Sequence, residues 1–264
     1  VSCRAEEQLS VNSKEWWRPE NLHRAEQEFR EESSDEASIS SDFQSYKLLR
    51  TAQDLSLTGI TLHNDVDPLA KVQAIAKLLG HHQPRSILDA GCGAGFTTKA
   101  LAATYPDATV LGVDLAEDAI AYATAHHPEA KFQARPISPA SGALGEFDTI
   151  FCFEFYPFTR NVDVDFQVEF IRYFVSQLNP NGRLVIYQTW KNKNSLAKIF
   201  DEVKAATPEL NYGMMTTPSP RLSTRLPLRL AIALSILASR IGGRDWAKPL
   251  IVVTENKIGT TKAT

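Results

Sequence analysis

The 264-residue chain has little cysteine, little charge bias and no long apolar run. Its three cysteines, Cys3, Cys92 and Cys152, are far apart and form no Cys-x-x-Cys pair. That count excludes a disulfide framework and gives no structural zinc signature, so a reduced, intracellular, cytoplasmic protein is expected, with no metal. The 28 basic and 31 acidic side chains leave a net charge of −3, which offers no positive field for a nucleic acid partner. The first thirty residues carry charges of both signs and no apolar core, so no signal peptide is expected. The longest uncharged apolar stretch near the C-terminus is Leu230 to Ser239, about half of what a membrane span needs. Stable membrane insertion is therefore not expected. No Gly-Lys-Ser/Thr follows a glycine turn, which excludes a P-loop.

What is present is an apolar fraction of 43% in a chain long enough to bury a full core. The charge is uneven. Residues 1–54 hold twelve acids and seven bases, a net of −5, so the remaining residues sum to +2. The polar, acidic start reads as a helical cap or lid over 1–60, with Leu22, Ala25 and Phe29 at helical spacing and a Ser-rich joint at Glu32–Ser41. Residues 61–264 read as the main domain. Asp67-Pro68 marks a helix start, Val72, Ile75, Ala76 and Leu79 its buried stripe, and Gly80 its stop.

From Arg85 onward, apolar strands alternate with helical patterns: strands at 86–89, 109–114, 130–134, 147–153, 183–188 and 250–254, and helices at 96–104, 116–125, 164–178 and 195–206. This pattern predicts an α/β, Rossmann-like, mainly parallel sheet with helices on both faces. Thr216–Lys248 interrupts the alternation as a helical insertion before the last strand. There Leu226, Leu230, Leu234, Leu237 and Ile241 share one stripe, Ile232 and Ile236 add a second apolar side, and arginines bracket the whole. A helix apolar nearly all round is usually buried, which favours a packed helix or a homodimer contact. A lid over a greasy substrate and a membrane-surface contact are the alternatives.

The informative stretch is Leu88-Asp89-Ala90-Gly91-Cys92-Gly93-Ala94-Gly95-Phe96-Thr97, a strand, a Gly-x-Gly-x-Gly turn and a helix start. Such a turn after the first strand of an open sheet lies where these folds bind nucleotides. Asp114 ends the next strand, nineteen residues after Gly95, where an acid can take both hydroxyls of a ribose. The alternative reading of Asp114 is an N-cap for the following helix. A dinucleotide fingerprint needs a glycine or alanine where this chain has Phe96.

Asp89 to Gly95 resembles motif I of class I S-adenosylmethionine-dependent methyltransferases, and Asp114 matches the acid of that family's second strand. Phe147 to Phe153 resembles its fourth-strand motif, Leu178-Asn179-Pro180-Asn181-Gly182 its turn before strand five, and Leu250 to Lys257 its closing strand. The resemblance implies a seven-stranded sheet with one antiparallel strand, S-adenosylmethionine as cofactor and S-adenosylhomocysteine as product. It implies a cofactor site of Asp89, Gly91, Cys92, Gly93 and Gly95 against the methionine portion, Asp114 on the ribose and Leu115 beside the adenine. Phe153 and Glu154 would join it from the end of strand four. Where the family often has Asp for the adenine amine, this chain reads Gln133-Ala134-Arg135-Pro136-Ile137-Ser138; backbone near Ile137 or the Ser138 hydroxyl is the substitute.

Methyl transfer from a sulfonium needs orientation and a dry site, and a base only when the acceptor carries a proton. His63, Glu154 and Tyr156 are the candidate catalytic residues. Tyr46, Trp17, Tyr156, Phe158, Arg160, Tyr187 and Trp190 are the candidate acceptor contacts. The loop Glu154–Arg160 lacks the Asn/Asp-Pro-Pro-Tyr/Phe pattern of enzymes that methylate nucleic acid bases. The expectation is O- or N-methylation of a small molecule. A lipid-like or quinone-like acceptor at a membrane surface and a non-catalytic binding regulator are the rivals.

Overall fold

A computed structural model describes residues 68–159, 163–188, 196–242 and 247–255, all within the unit Asp65–Thr264. The expected cap, with Trp17 and Tyr46, and the site candidates His63, Arg160 and Trp190 lie outside the described residues, as does the Tyr156 side chain.

The chain begins its described course in α1 (Pro68–Leu79), with Pro68 as first helical residue and Gly80 beyond the end at φ 70°. Strands and helices then alternate: β1 (Ser86–Ala90), α2 (Phe96–Thr104), β2 (Thr109–Asp114), α3 (Glu117–His126), β3 (Lys131–Ala134), β4 (Phe147–Phe153) and α4 (Tyr156–Thr159). They continue through α5 (Val164–Val175), β5 (Leu178–Tyr187), α6 (Leu196–Ala206), β6 (Leu210–Thr217), α7 (Pro220–Ser223), α8 (Leu228–Gly242) and β7 (Lys248–Glu255). The seven strands form one sheet in the order β3-β2-β1-β4-β5-β7-β6. Only β7 runs antiparallel to its neighbours. The sheet is the expected Rossmann-like one.

Period-two alternation sends successive residues of each buried strand to opposite faces. Leu88, Ala90, Ile150, Cys152, Leu184, Ile186, Ile251 and Val253 pack on one face with α5 and α6. Ile87, Val110, Phe151, Phe153, Val185, Tyr187 and Leu250 pack on the other with α1 and α2. Both faces are covered, so these strands read as continuous apolar runs. At the far edge of the central strands Asp148 ties the start of the sheet together. Its Oδ2 accepts the N–H groups of Arg85 (2.7 Å) and Ser86 (3.1 Å), and its Oδ1 accepts Asn179 Nδ2 (2.8 Å).

Three sequence expectations are corrected. Residues 183–188 were expected as strand five, but β5 starts at Leu178, which pairs with Phe147 before a bulge restores register at Arg183–Thr149. Strand β6 carries no alternation signal: it is an edge strand in which Gly213 and two methionines interrupt the strand-favouring Tyr212, Thr216 and Thr217. The insertion therefore joins the last two strands, and its helix is not the buried one that the apolar pattern predicts. Leu230, Leu234, Leu237 and Ile241 are exposed.

Candidate functional site

Strand order places β1 next to both β2 and β4, so the chain winds outward in opposite directions from β1 and β4. The crevice beyond their C-terminal ends is the topological switch point where open α/β sheets bind ligands. The glycine turn follows β1 and Glu154 follows β4, one on each side of it.

Gly91, Gly93 and Gly95 all lie at positive φ, at 74°, 52° and 83°. A Cβ on Gly91 would meet the Phe155 ring at 2.8 Å, and one on Gly95 would meet Phe132, Ala123 and His127 within 2.9 Å. The turn therefore needs glycine both for its backbone conformation and for its packing. Its amides close onto the end of β2: Gly91 N–H and Cys92 N–H donate to Val113 O at 2.8 and 3.1 Å. Cys92 takes part through this backbone. Its thiol is buried, where an ideal Cβ on Gly112 would lie 2.9 Å from it, and burial holds it well above the ordinary thiol range.

Asp114 joins the two sequence features physically. Its Oδ2 accepts Gly93 N–H at 2.7 Å and its Oδ1 accepts Ala116 N–H at 2.9 Å. The N-cap of α3 is Ala116, so the capping alternative for Asp114 does not hold. A carboxylate offers about four lone-pair directions, so each oxygen retains acceptor capacity. Beside it, Leu115 is half-buried and Ile137 is buried.

Asp89 shares the sheet face of Ile87, and so points toward α1 and α2. It is fully buried. Its Oδ2 accepts both the Thr97 and Thr98 hydroxyls at 2.7 Å, while its Oδ1 has no hydrogen-bond partner. Burial pushes its pKa up to about 6, against the pull of the two threonine hydroxyls and of Lys71. A buried acceptor with no donor is costly, and it is the kind of group that a bound donor would satisfy.

Lys71 is a functional candidate that the sequence reading missed. It is buried, and its Nζ lies 5.2 Å from the Phe153 ring centroid and 5.6 Å from that of Tyr187, within cation–π range. Its charge acts on Asp89. The available signal was a lysine in the stripe Lys71, Ile75, Leu79, at i, i+4 and i+8, on the face of α1 that packs into the core. A charge there has to be paired or ligand-directed.

On the other side of the crevice Glu154 is exposed and adopts φ 52°, a left-handed conformation for a non-glycine residue. Its N–H donates to Tyr187 O at 3.0 Å. Such strain costs about 1–2 kcal/mol and clusters at functional positions. Tyr156 opens α4 directly after it. Phe153 is buried against Phe151 and Tyr187.

Two of the acceptor-side candidates are buried. Phe158 is fully buried, with ring centroids 6.0 Å from Phe155 and 6.3 Å from Phe174, so it fills the core under α5. Tyr187 is buried too, with its ring beneath Lys71. Among the described residues no group of His, Cys, Asp and Glu converges as a metal site, and no helix is long and apolar enough to cross a membrane.

The family model of the methyltransferase domain matches residues 81–231. An uncharacterized protein of Rickettsia prowazekii (strain Madrid E) is 30% identical over 141 residues, 48% of this chain and 55% of that protein. A ubiquinone biosynthesis O-methyltransferase of Bordetella avium (strain 197N) is 34% identical over 94 residues, 34% of this chain and 38% of the enzyme. The matched region thus spans about half or less of these relatives. The crystal structure of the plantazolicin methyltransferase BpumL, in complex with a monoazolic desmethylPZN analog and SAH, superposes with TM-score 0.55. It is 15% identical and covers 90% of this chain and 98% of that one, a likeness of fold.

Proposed function

The chain belongs to the methyltransferase-domain family, and from that premise we propose that it binds S-adenosylmethionine at the C-terminal ends of β1 and β2 and methylates an O or N atom of a small molecule. The observation that carries this reading is the unpartnered, fully buried Asp89 Oδ1 beside the glycine turn. The residues fit the group. A methionine moiety presents an ammonium and a carboxylate, and Asp89 and the buried Lys71 present the opposite charges on one side of the turn. Asp114, already fixing the turn through Gly93 N–H, keeps acceptor capacity for the ribose hydroxyls. Leu115 and Ile137 offer the apolar surface for the adenine.

S-adenosylmethionine, when bound, would supply an electrophilic sulfonium methyl group, with the neutral thioether S-adenosylhomocysteine as the leaving group. This chain contributes orientation and a dry wall. The positive-φ turn lets backbone approach the donor closely. Phe153 and Tyr187 hold the Lys71 ammonium in place from below. Glu154, exposed at the β4 end, is the described group best placed to meet the acceptor and, where that acceptor carries a proton, to take it. Tyr156 follows it as a wall residue, and His63 is the second candidate base.

The test is a transfer assay with methyl-labelled S-adenosylmethionine against panels of phenols, hydroxy acids and amines, with S-adenosylhomocysteine as readout. Label appearing in an acceptor supports the reading. Tight donor binding with no S-adenosylhomocysteine from any panel would turn the protein into a nucleoside-binding regulator.

A further inference from the structure

Helix α8 is built inside out. Its most deeply buried positions are small residues. Ala231 and Ser235 are fully buried, and Ser235 Oγ accepts Ser219 N–H at 2.9 Å and donates to Ala231 O at 2.7 Å. One turn on, Ser239 Oγ accepts Ala247 N–H at 3.0 Å. Leu228, Ile232 and Ile236 are half-buried, and the four remaining large apolar residues point away. Leu230, Leu234, Leu237 and Ile241 are 46%, 37%, 51% and 79% exposed, four of the six large apolar side chains exposed among the described residues. Their spacing of i, i+4, i+7 and i+11 makes one continuous stripe.

The charge around this stripe has one sign. From Leu210 to Arg244 the sequence contains five arginines and no aspartate or glutamate, in a chain whose net charge is −3. At about 100° per residue, Arg229 and Arg240 fall on the same flank of the stripe, and both are exposed. No acid among the described residues pairs with Arg225, Arg229 or Arg240. An antiparallel two-fold contact between two copies of α8 would confront arginine with arginine. An apolar stripe with a cationic flank matches a surface that is greasy below and anionic above. Fifteen residues make a helix of about 22 Å, too short to cross a bilayer core of about 30 Å and well sized to lie in its interface.

We propose that α8 docks this protein on the surface of an anionic lipid bilayer, with Leu230, Leu234, Leu237 and Ile241 entering the headgroup–acyl boundary and Arg229 and Arg240 meeting lipid phosphates. The docking is reversible and peripheral, and its test does not require a bound donor. The test is co-sedimentation of the full chain with vesicles of phosphatidylcholine alone and of phosphatidylcholine mixed with phosphatidylglycerol, at low and high salt. Binding to the mixed vesicles, weakened by salt, is expected. Leu237→Glu with Ile241→Glu lowers it by roughly tenfold or more, with an unchanged melting temperature, since both side chains sit outside the core. Arg229→Glu with Arg240→Glu lowers it and flattens the salt dependence. Failure to sediment with either vesicle at low salt overturns the proposal, as does binding that both double variants retain. A lipid-free dimer dissolved by Leu237→Glu with Ile241→Glu would assign the face to a second copy of this chain instead.

Discussion

Two regions of this molecule break the ordinary rule of burial in opposite senses. Under the glycine turn, a carboxylate lies fully buried with one oxygen unpartnered. On α8, four large apolar side chains stand in solvent while a serine and an alanine take the core position. Most of the described apolar core follows the rule. Helix α5 turns Val168, Phe170, Ile171, Phe174 and Val175 inward and caps its start with Asp163, whose side chain accepts Phe166 N–H. The contrast teaches that a stripe of apolar residues fixes which face of a helix is greasy, not what that face meets. A buried polar group with no partner and an apolar face with no cover are both places where something from outside completes the structure.

The comparison breaks most visibly at α5. Phe174→Ala removes a fully buried ring in contact with Phe155, Phe158 and Phe170 and should cost about 3–5 kcal/mol in urea unfolding. A smaller loss would mean that α5 is as loosely held as the exposed stripe of α8.

The Asp89→Asn substitution should act in the opposite direction. The raised pKa of about 6 means the folded state favours the protonated acid. The penalty for ionising Asp89 is absent below the unfolded carboxylate pKa, grows between about 4 and 6, and is complete above that. Asn keeps an oxygen for Thr97 and Thr98 and carries no charge. The ligand-free variant should therefore be more stable by about 1–3 kcal/mol at neutral pH, with the gain vanishing at about pH 4, while donor binding is weakened. Thermal unfolding across that pH range reads both ends. Destabilisation at neutral pH would mean that the buried carboxylate is structural.

The same group sets a pH dependence for the donor. The ammonium of a bound donor favours the ionised Asp89, so affinity should rise with pH by up to about tenfold per unit below about 6 and level off above it. In Asp89→Asn the profile should be flat. Calorimetry in buffers of different ionisation enthalpy would show the proton released on binding.

The smallest effects sharpen the reading of α8. Ser235→Ala leaves the Ser219 N–H without its acceptor and should cost about 1 kcal/mol. Leu237→Ala, a larger deletion on the exposed stripe, should stay within about 0.5 kcal/mol. An order reversed between these two would mean that the stripe is covered in the folded chain.

Much of the sheet was legible because its strands are buried on both faces and therefore apolar throughout. The spans Thr109–Asp114 and Phe147–Phe153 are the ones read from the residues, and α2 begins at Phe96 as the glycine turn requires. Strand β6 was not legible, since Gly213 and two methionines break up its few strand-favouring residues and an edge strand needs no alternation. The Gly-x-Gly-x-Gly turn and Asp114 could be paired from spacing alone, but the hydrogen bond that joins them, Gly93 N–H to Asp114, is a tertiary contact no spacing shows. Phe158 and Tyr187 looked like pocket walls because aromatics near a loop serve either role, and only packing decides between them. Lys71 went unnoticed because an isolated lysine on a helix is ordinarily a solvated one. Its aromatic support comes from strands some eighty and more residues later in the chain.

The central claim is that a nucleoside donor sits on the turn that Asp114 anchors. Calorimetric titration of S-adenosylhomocysteine into the wild-type chain and into Asp114→Ala tests it most directly. A single site in the wild type, weakened by about 1.5–3 kcal/mol in the variant, is the predicted result. Equal affinities in the two proteins would contradict it.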